Sequence, residues 1–301
     1  MDILSVLSKE EYIALSLRAL YSGYGYQKYR MSKFEEYDLY VKNKDFLVSQ
    51  NIITFTDTNG KLLALKPDVT LSIVKNGKGG AVTQKVYYDE KVYRVSKRTE
   101  SFKEIAQTGV EVIGEINGEL IGEVLTLASK SLDLISSKNV LCVSSLSLIS
   151  SVLDYAKISD ENKAEIVKLL GEKNLFSIKK LLVNLGVSEE NKSLIESLVT
   201  VYGEIDKIEE KLLSLKVDIK TSRIVDEFIK IVKSLKNGNV IVDFSVVNDM
   251  NYYCGICFKG YVESIPTGIL SGGEYDNLMK KMNKDYGAIG FAVYLDEVSR
   301  I

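Results

Sequence analysis

Apolar residues recur at helical spacing in "SKEEYIALSLRAL", where Ser8 and Glu11 form a capping box, and the pattern predicts a helix through about Leu20. Gly23 and Gly25 in "YSGYGYQKYR" end it and turn the chain into an extended segment. In "NIITFTDTNGKLLALKP" two apolar runs flank Asn59-Gly60, the signal of a β-hairpin. "PDVTLSIVKNG" starts a short helix, with Pro67 ahead of Asp68 and Thr70 in or near the first turn. Two strands follow, "GGAVTQKVYYDEKVYRVS" and "FKEIAQTGVEVIGE", joined by a charged loop. Arg94 sits at the end of the first, and Gln107 and Glu111 share one face of the second.

A helix around "ELIGEVLTLASKSLDLIS" and a strand at "NVLCVSS" come next. From about residue 146 to 235 the character changes. Leu and Ile repeat at spacings of three and four, Lys and Glu are frequent, and proline is absent, which predicts a small helical unit with a solvated outer face. "NVIVDFSVVNDMNYYCGICFKGYV" returns to strands with a turn at Asn248-Asp249, and "GAIGFAVYLDEVSRI" reads as strand then helix. The expected architecture is a mostly antiparallel α+β body, residues 1–145 and 236–301, interrupted by a helical insertion over 146–235. No internal repeat or proline-rich linker divides it further.

Composition narrows the chemistry. With 39 basic and 41 acidic residues the formal charge is −2, so no global field favours nucleic acid or anionic lipid. The first residues lack the basic start and cleavage site of a signal peptide, and no stretch of about 18 apolar residues exists. A cytoplasmic protein with no membrane segment is the expectation. The chain contains no histidine, which excludes Ser-His and Cys-His nucleophilic pairs, His-ligated zinc and an imidazole base. Cys142, Cys254 and Cys257 are an odd set and argue against a disulfide framework. The C-x-x-C spacing of the last two reads as a strand, on which residues three apart face opposite sides, so no redox or metal pair is expected.

In this order the segments resemble the catalytic core of the class II aminoacyl-tRNA synthetases, specifically the histidyl branch, over nearly the whole chain. "GYGYQKYRMSKFEEYDLY" is similar to motif 1, "VYRVSKRTESFKEIAQTGVEVIG" to motif 2, and "GGEYDNL … GAIGFAVYLDEV" to the region ending in motif 3. "KPDVT" resembles the amino-acid-binding R-P-[DE]-x-T element, and "VVNDMNYYCGICFKGY" the histidyl signature V-R-G-L-D-Y-Y-T-G-x-x-F. The resemblance implies an antiparallel sheet flanked by helices. It also implies a histidine site in which Asp68, Thr70 and Gln107 hold the α-amino group. Glu111, Tyr252 and Tyr253 would line the imidazole end, and Arg94 would face the carboxylate. Acceptors for an ammonium and an imidazole N–H, with a guanidinium for a carboxylate, form a coherent set. Each residue also has a plainer reading: Gln107 and Glu111 as solvated strand residues, Asp68 as a helix cap, one tyrosine as core.

The departures from the family pattern fall on the nucleotide side. The signature arginine is Asn248, the "G-G-R-Y-D" arginine is Glu274, and the motif 3 arginine is Glu297, with Tyr294 in place of a glycine. The motif 2 glutamate two residues after Arg94 is Ser96, in a shortened loop with Lys97, Arg98 and Lys103 nearby. An acid beside a triphosphate opposes its binding, so adenylate formation is not expected; no residue is assigned a catalytic role, and no cofactor or metal is implied. The anticodon-binding domain and a tRNA partner are likewise not expected, because the sequence stops a few residues after motif 3. The resemblance therefore narrows to a paralogous family, the regulatory subunits of ATP phosphoribosyltransferase, which lack aminoacylation activity. It implies a homodimer through motif 1, inside a hetero-oligomer with the short-form catalytic subunit, acting in the first step of histidine biosynthesis and its feedback by free histidine. Two alternatives stay open: a truncated ligase activating an amino acid with ATP through Lys97, Arg98 or Lys103, and a stand-alone amino-acid sensor.

Overall fold

A computed structural model describes residues 6–47, 51–77, 82–95, 100–235, 239–247, 252–263 and 265–300. Helix α1 (Lys9–Gly23) carries the expected capping box: Glu11 N donates to Ser8 Oγ and Ser8 N to Glu11 Oε2. It runs past Leu20 because Tyr21, fully buried, continues the apolar stripe of Ile13, Ala14 and Leu17. Gly25, at φ +85°, then makes the left-handed turn into β1 (Gln27–Lys28). β2 (Phe34–Glu36), α2 (Tyr37–Val41), β3 (Thr54–Thr56) and β4 (Leu62–Leu65) follow. β2, β4 and β3 form a three-stranded antiparallel sheet, its hairpin turning at Gly60 (φ +79°) as the Asn-Gly pair predicts.

Next come α3 (Thr70–Asn76), β5 (Gln84–Val95), β6 (Phe102–Gly114), α4 (Gly118–Ile135) and β7 (Asn139–Ser145). The stretch after β7 holds α5 (Leu146–Tyr155), α6 (Asp160–Gly171), α7 (Leu175–Asn184) and α8 (Glu189–Val199), then α9 (Ile205–Leu213) and α10 (Ile219–Ser234). The pattern there predicts helices only. The structure adds β8 (Tyr202–Gly203), which pairs with β9 (Val240–Asp243) and extends the main sheet by one short strand. The remaining elements are β10 (Ile256–Val262), β11 (Ile265–Glu274), α11 (Asp276–Lys281), β12 (Gly287–Tyr294) and α12 (Leu295–Val298). The main sheet runs β1-β5-β6-β12-β11-β10-β7-β9-β8, antiparallel except for the pairs β1/β5 and β7/β9. An α+β fold with its sheet flanked by helices is thus what the chain adopts.

Alternation along the central strands decides where everything else sits. Val110 and Val112 of β6, with Ile289, Phe291 and Val293 of β12, face α1 and α4 in the larger core. The helices after β7 bury Leu148, Leu170, Leu182, Leu212 and Phe228 in the same apolar cluster. The intervening residues of these strands turn to the opposite face, where α3, α11 and β4 pack in a smaller cluster around Tyr88, Ile113 and Ala288. The cysteines need one correction. Cys254 is not on a strand: β10 begins at Ile256, because the N–H groups of Cys254 and Ile256 both bond to Glu274 and not to a regular ladder. Its thiol points to the Glu274 carbonyl at 3.7 Å, while Cys257 is buried in β10 with its thiol 3.1 Å from the Val246 carbonyl. The expected turn at Asn248-Asp249 lies outside the described residues. No described helix is long and apolar enough to cross a membrane.

Just after β4, Lys66 is fully buried and its ammonium donates to Glu90 Oε2 at 2.8 Å. Glu90→Gln leaves that ammonium without its counter-ion. Unfolding in urea is expected to give a loss of about 3 kcal/mol, the scale for breaking one side of a buried pair.

Candidate functional site

Residues on the second face of β5, β6 and β12 form the floor of a cavity of about 220 Å³, roofed by α3 and the segment before β10. At its base is Glu111, 2 % exposed. Thr70, the first residue of α3, donates its hydroxyl to Glu111 Oε1 at 2.8 Å, and Tyr275 donates to Oε2 at 2.6 Å. Directly across the ladder lies Gly290, where any Cβ would come within 1.8 Å of Oε2. Only glycine leaves room for the carboxyl. Burial pushes the Glu111 carboxyl up to about 8, against the two hydroxyls and with Asp68 adding to it.

The second charged group is a pair. Arg94 donates through Nε to the Pro67 carbonyl at 2.6 Å and places Nη2 3.3 Å from Asp68 Oδ2. Asp68 Oδ1 meanwhile accepts from Leu71 N at 2.8 Å, so it does cap α3 as the plain reading held, while also facing the cavity. Burial raises the Asp68 carboxyl; Arg94 and the N–H groups of Leu71 and Thr70 pull it down. Gln107 is 3 % exposed and lines the cavity. Tyr252 and Tyr253 stand side by side with ring centroids 4.8 Å apart, both on the cavity wall, and each also packs against a core as the plainer reading held, Tyr253 against the larger and Tyr252 against the smaller.

All seven side chains of the expected amino-acid site therefore surround one cavity. Sequence reasoning missed Tyr88, Ser271, Tyr275 and Phe46, which line it too. Tyr88 was within reach, since it lies two residues from Val86, the ladder partner of Glu111, and so shares its face. Tyr294, noted at the motif glycine, fills wall space with a phenol ring.

The nucleotide-side positions are arranged differently. Ser96 and Asn248, like Lys97 and Arg98, lie outside the described residues. Glu274 does not line the cavity: its Oε2 accepts from Ile256 N at 2.5 Å, and it borders a separate cavity with Cys254 and Asp276. Burial pushes its carboxyl up to about 7, the Ile256 N–H opposing and Asp276 and Glu227 adding to the rise. Glu297 sits on α12, bonded to Arg300 and Thr267 at the surface. Among the described residues lining the main cavity, Arg94 is the one basic side chain, and it is already paired. No group of three or more Cys, Asp or Glu among the described residues is placed to hold a metal ion.

The model of the family described as histidyl-tRNA synthetase matches residues 5–298. The chain belongs to the histidyl-tRNA synthetase family. Curated relatives carry a narrower description, ATP phosphoribosyltransferase regulatory subunit. That of Clostridium kluyveri is 30% identical over 296 residues, 94% of this chain and 75% of the relative. That of Clostridium botulinum strain Langeland is 28% identical over 310 residues, 97% of this chain and 73% of the relative. Among solved structures, an ATP phosphoribosyltransferase regulatory subunit/histidyl-tRNA synthetase from Bacillus halodurans C superposes with a TM-score of 0.85 at 24% identity, covering 97% of this chain and 78% of that one. A chain of the ATP phosphoribosyl transferase (HisG:HisZ) complex from Thermotoga maritima gives 0.73 at 18% identity, covering 95% and 97%. These structures share the fold.

The raised Glu111 carboxyl has a measurable sign. Between the ordinary value of 4.5 and about 8 the folded chain holds a proton that the unfolded chain releases. Its contribution to stability is complete below 4.5 and is lost as pH rises through about 8. In Glu111→Gln that dependence is gone. Thermal unfolding of the two proteins across this range is expected to show the wild type losing ground to the variant as pH increases; a constant difference contradicts the raised value.

Proposed function

We propose that the chain is a regulatory subunit of ATP phosphoribosyltransferase with no catalysis of its own, working in the cytoplasm. It assembles with the short-form catalytic subunit as a homodimer within a hetero-oligomer, for the first step of histidine biosynthesis. The observation that carries this reading is the relatives of that description, which align over more than nine-tenths of the chain. The cavity supports the same reading. It offers a buried carboxyl, an amide, an aspartate–arginine pair and a wall of phenols, a set suited to the ammonium, carboxylate and imidazole of free histidine. In this proposal Glu111 meets the imidazole between Tyr252 and Tyr253. Asp68 and Arg94 separate from one another to take the ammonium and the carboxylate, with Thr70 and Gln107 completing the amino end. The positions Ser96, Asn248, Glu274 and Glu297 are then the remains of a nucleotide site, and tRNA is not a partner.

Calorimetry with histidine tests the site. Glu111→Gln keeps the shape and removes the acid that can ionise against a bound imidazole, and the loss of that charge-assisted hydrogen bond, roughly 1.5–3 kcal/mol, is expected to weaken binding about ten- to a hundredfold. Equal affinity in the variant places histidine elsewhere. Co-purification with a short-form phosphoribosyltransferase from histidine-limited cells tests the assembly, and its repeated absence counts against it.

The family description itself favours a second reading, a ligase that activates an amino acid with ATP. Amino-acid-dependent exchange of pyrophosphate into ATP separates the two. With one cation among the described residues that line the cavity, already paired, exchange is expected to stay at background.

A further inference from the structure

Glu274 stands where the family pattern has an arginine, yet it is built into the backbone as a guanidinium could not be. Its carboxylate accepts from Ile256 N at 2.5 Å, and its own carbonyl accepts from Cys254 N at 3.0 Å. Gly255, between those two donors, lies flat against the carboxylate: a Cβ there would be 2.1 Å from Oε2. One residue back on β11, Gly273 lets the Tyr253 ring rest on the strand, since a Cβ would meet its Cδ1 at 2.6 Å. The end of β11 thus grips the whole segment from Tyr253 to Ile256.

That segment has two neighbours. On one side Tyr252 and Tyr253 are the phenol wall of the ligand cavity. On the other, the Gly255 carbonyl accepts from Leu146 N at 2.9 Å, at the first turn of α5, whose cap Ser145 is the ladder partner of Ile256. A second cavity of about 270 Å³ opens here between Glu274, Ser145, Ser147 and the α10 side chains Glu227, Phe228 and Ile231. It leaves this contact room to shift, where close packing would not.

We propose that Glu274 is a positioning residue that couples the ligand cavity to the helices after β7: by holding Ile256 it makes the Tyr252/Tyr253 wall and the first turn of α5 move as one body. The regulatory significance rests on the histidine reading above; the mechanical link does not. Ligand entering between the tyrosines then changes the Gly255–Leu146 contact and, through α5, the packing of α10. A ligand can bias those helices only by the difference in its affinity for the two arrangements.

The test compares Glu274→Leu, which removes the acceptor, with Glu274→Gln, which keeps an acceptor oxygen. Amide hydrogen exchange in the unliganded full chain is read in peptides spanning 252–258 and 144–150, with α1 as the reference. The leucine variant is expected to exchange faster in both peptides and unchanged in α1, with glutamine restoring protection. Faster exchange in 252–258 alone, or in neither, overturns the coupling. Histidine affinity is the second readout: a loss of roughly tenfold in the leucine variant supports the positioning role. Unchanged affinity in a variant with loosened tyrosines overturns it. Should wild type bind no histidine while both peptides respond, the ligand reading fails and the link stands. Glu274→Asp, which withdraws the carboxylate by one methylene, is measured in the same way in case the leucine variant does not fold.

Discussion

A carboxyl group buried on the face of a β-sheet needs three things at once: hydrogen-bond donors, space, and a reason to stay. Glu111 has the first two from Thr70, Tyr275 and the missing side chain of Gly290. The constraint propagates outward. Thr70 must open α3 at that point, so Asp68 has to cap the helix from the cavity side, and Arg94 has to come from β5 to meet Asp68. Tyr275 must stand at the end of β11, just before α11. An apolar residue at 111 would satisfy the sheet equally well and remove the desolvation cost, so the acid is retained against a stability gradient. Groups held at such a cost cluster where ligands bind.

Electrostatics separates the two ends of the site. At the end proposed to take the amino acid, charges of both signs are buried, paired and directed at one cavity. Triphosphate recognition would require surplus positive charge aimed at the phosphates. Among the described lining residues the only guanidinium is spent on Asp68 and the Pro67 carbonyl. Glu274, in the place of a family arginine, is bound to a backbone N–H, and Glu297, in the place of another, is engaged at the surface. Each has been absorbed into a local structural role, and a role in folding is harder to reverse than an empty position.

Much of the fold was legible because its signals are local. The capping box at Ser8, the Asn59-Gly60 turn and the limits of β7 depend on a few adjacent residues, and each formed where the pattern put it. β8 was not legible: a two-residue strand exists only because β9 is beside it, and no local propensity encodes that. Cys254 was misplaced for the same reason, since a side chain twenty residues away draws the backbone out of the ladder. For the site, the family resemblance named seven side chains that line one cavity, but periodicity alone does not tell which face of a strand is open. Tyr88 was therefore missed while Glu111, on the same face, was found. The Arg94–Asp68 pair was also out of reach, because a family resemblance assigns each residue a partner in the ligand and is blind to the partner each has in the ligand's absence.

That last point bears on how a binding site without chemistry can still act. In an enzyme, binding energy is directed at a transition state. Here, under the proposed reading, there is none to stabilise, and the ligand must instead separate an aspartate from an arginine and enter between two tyrosines. Both changes fall on segments fixed at their far ends to something else: Asp68 to the start of α3, the tyrosines through Gly255 to the start of α5. Pairing of the empty site's charges stabilises one arrangement, and ligand contacts stabilise another. Two such arrangements of one packed body, differing by a few hydrogen bonds, are what a regulatory subunit requires.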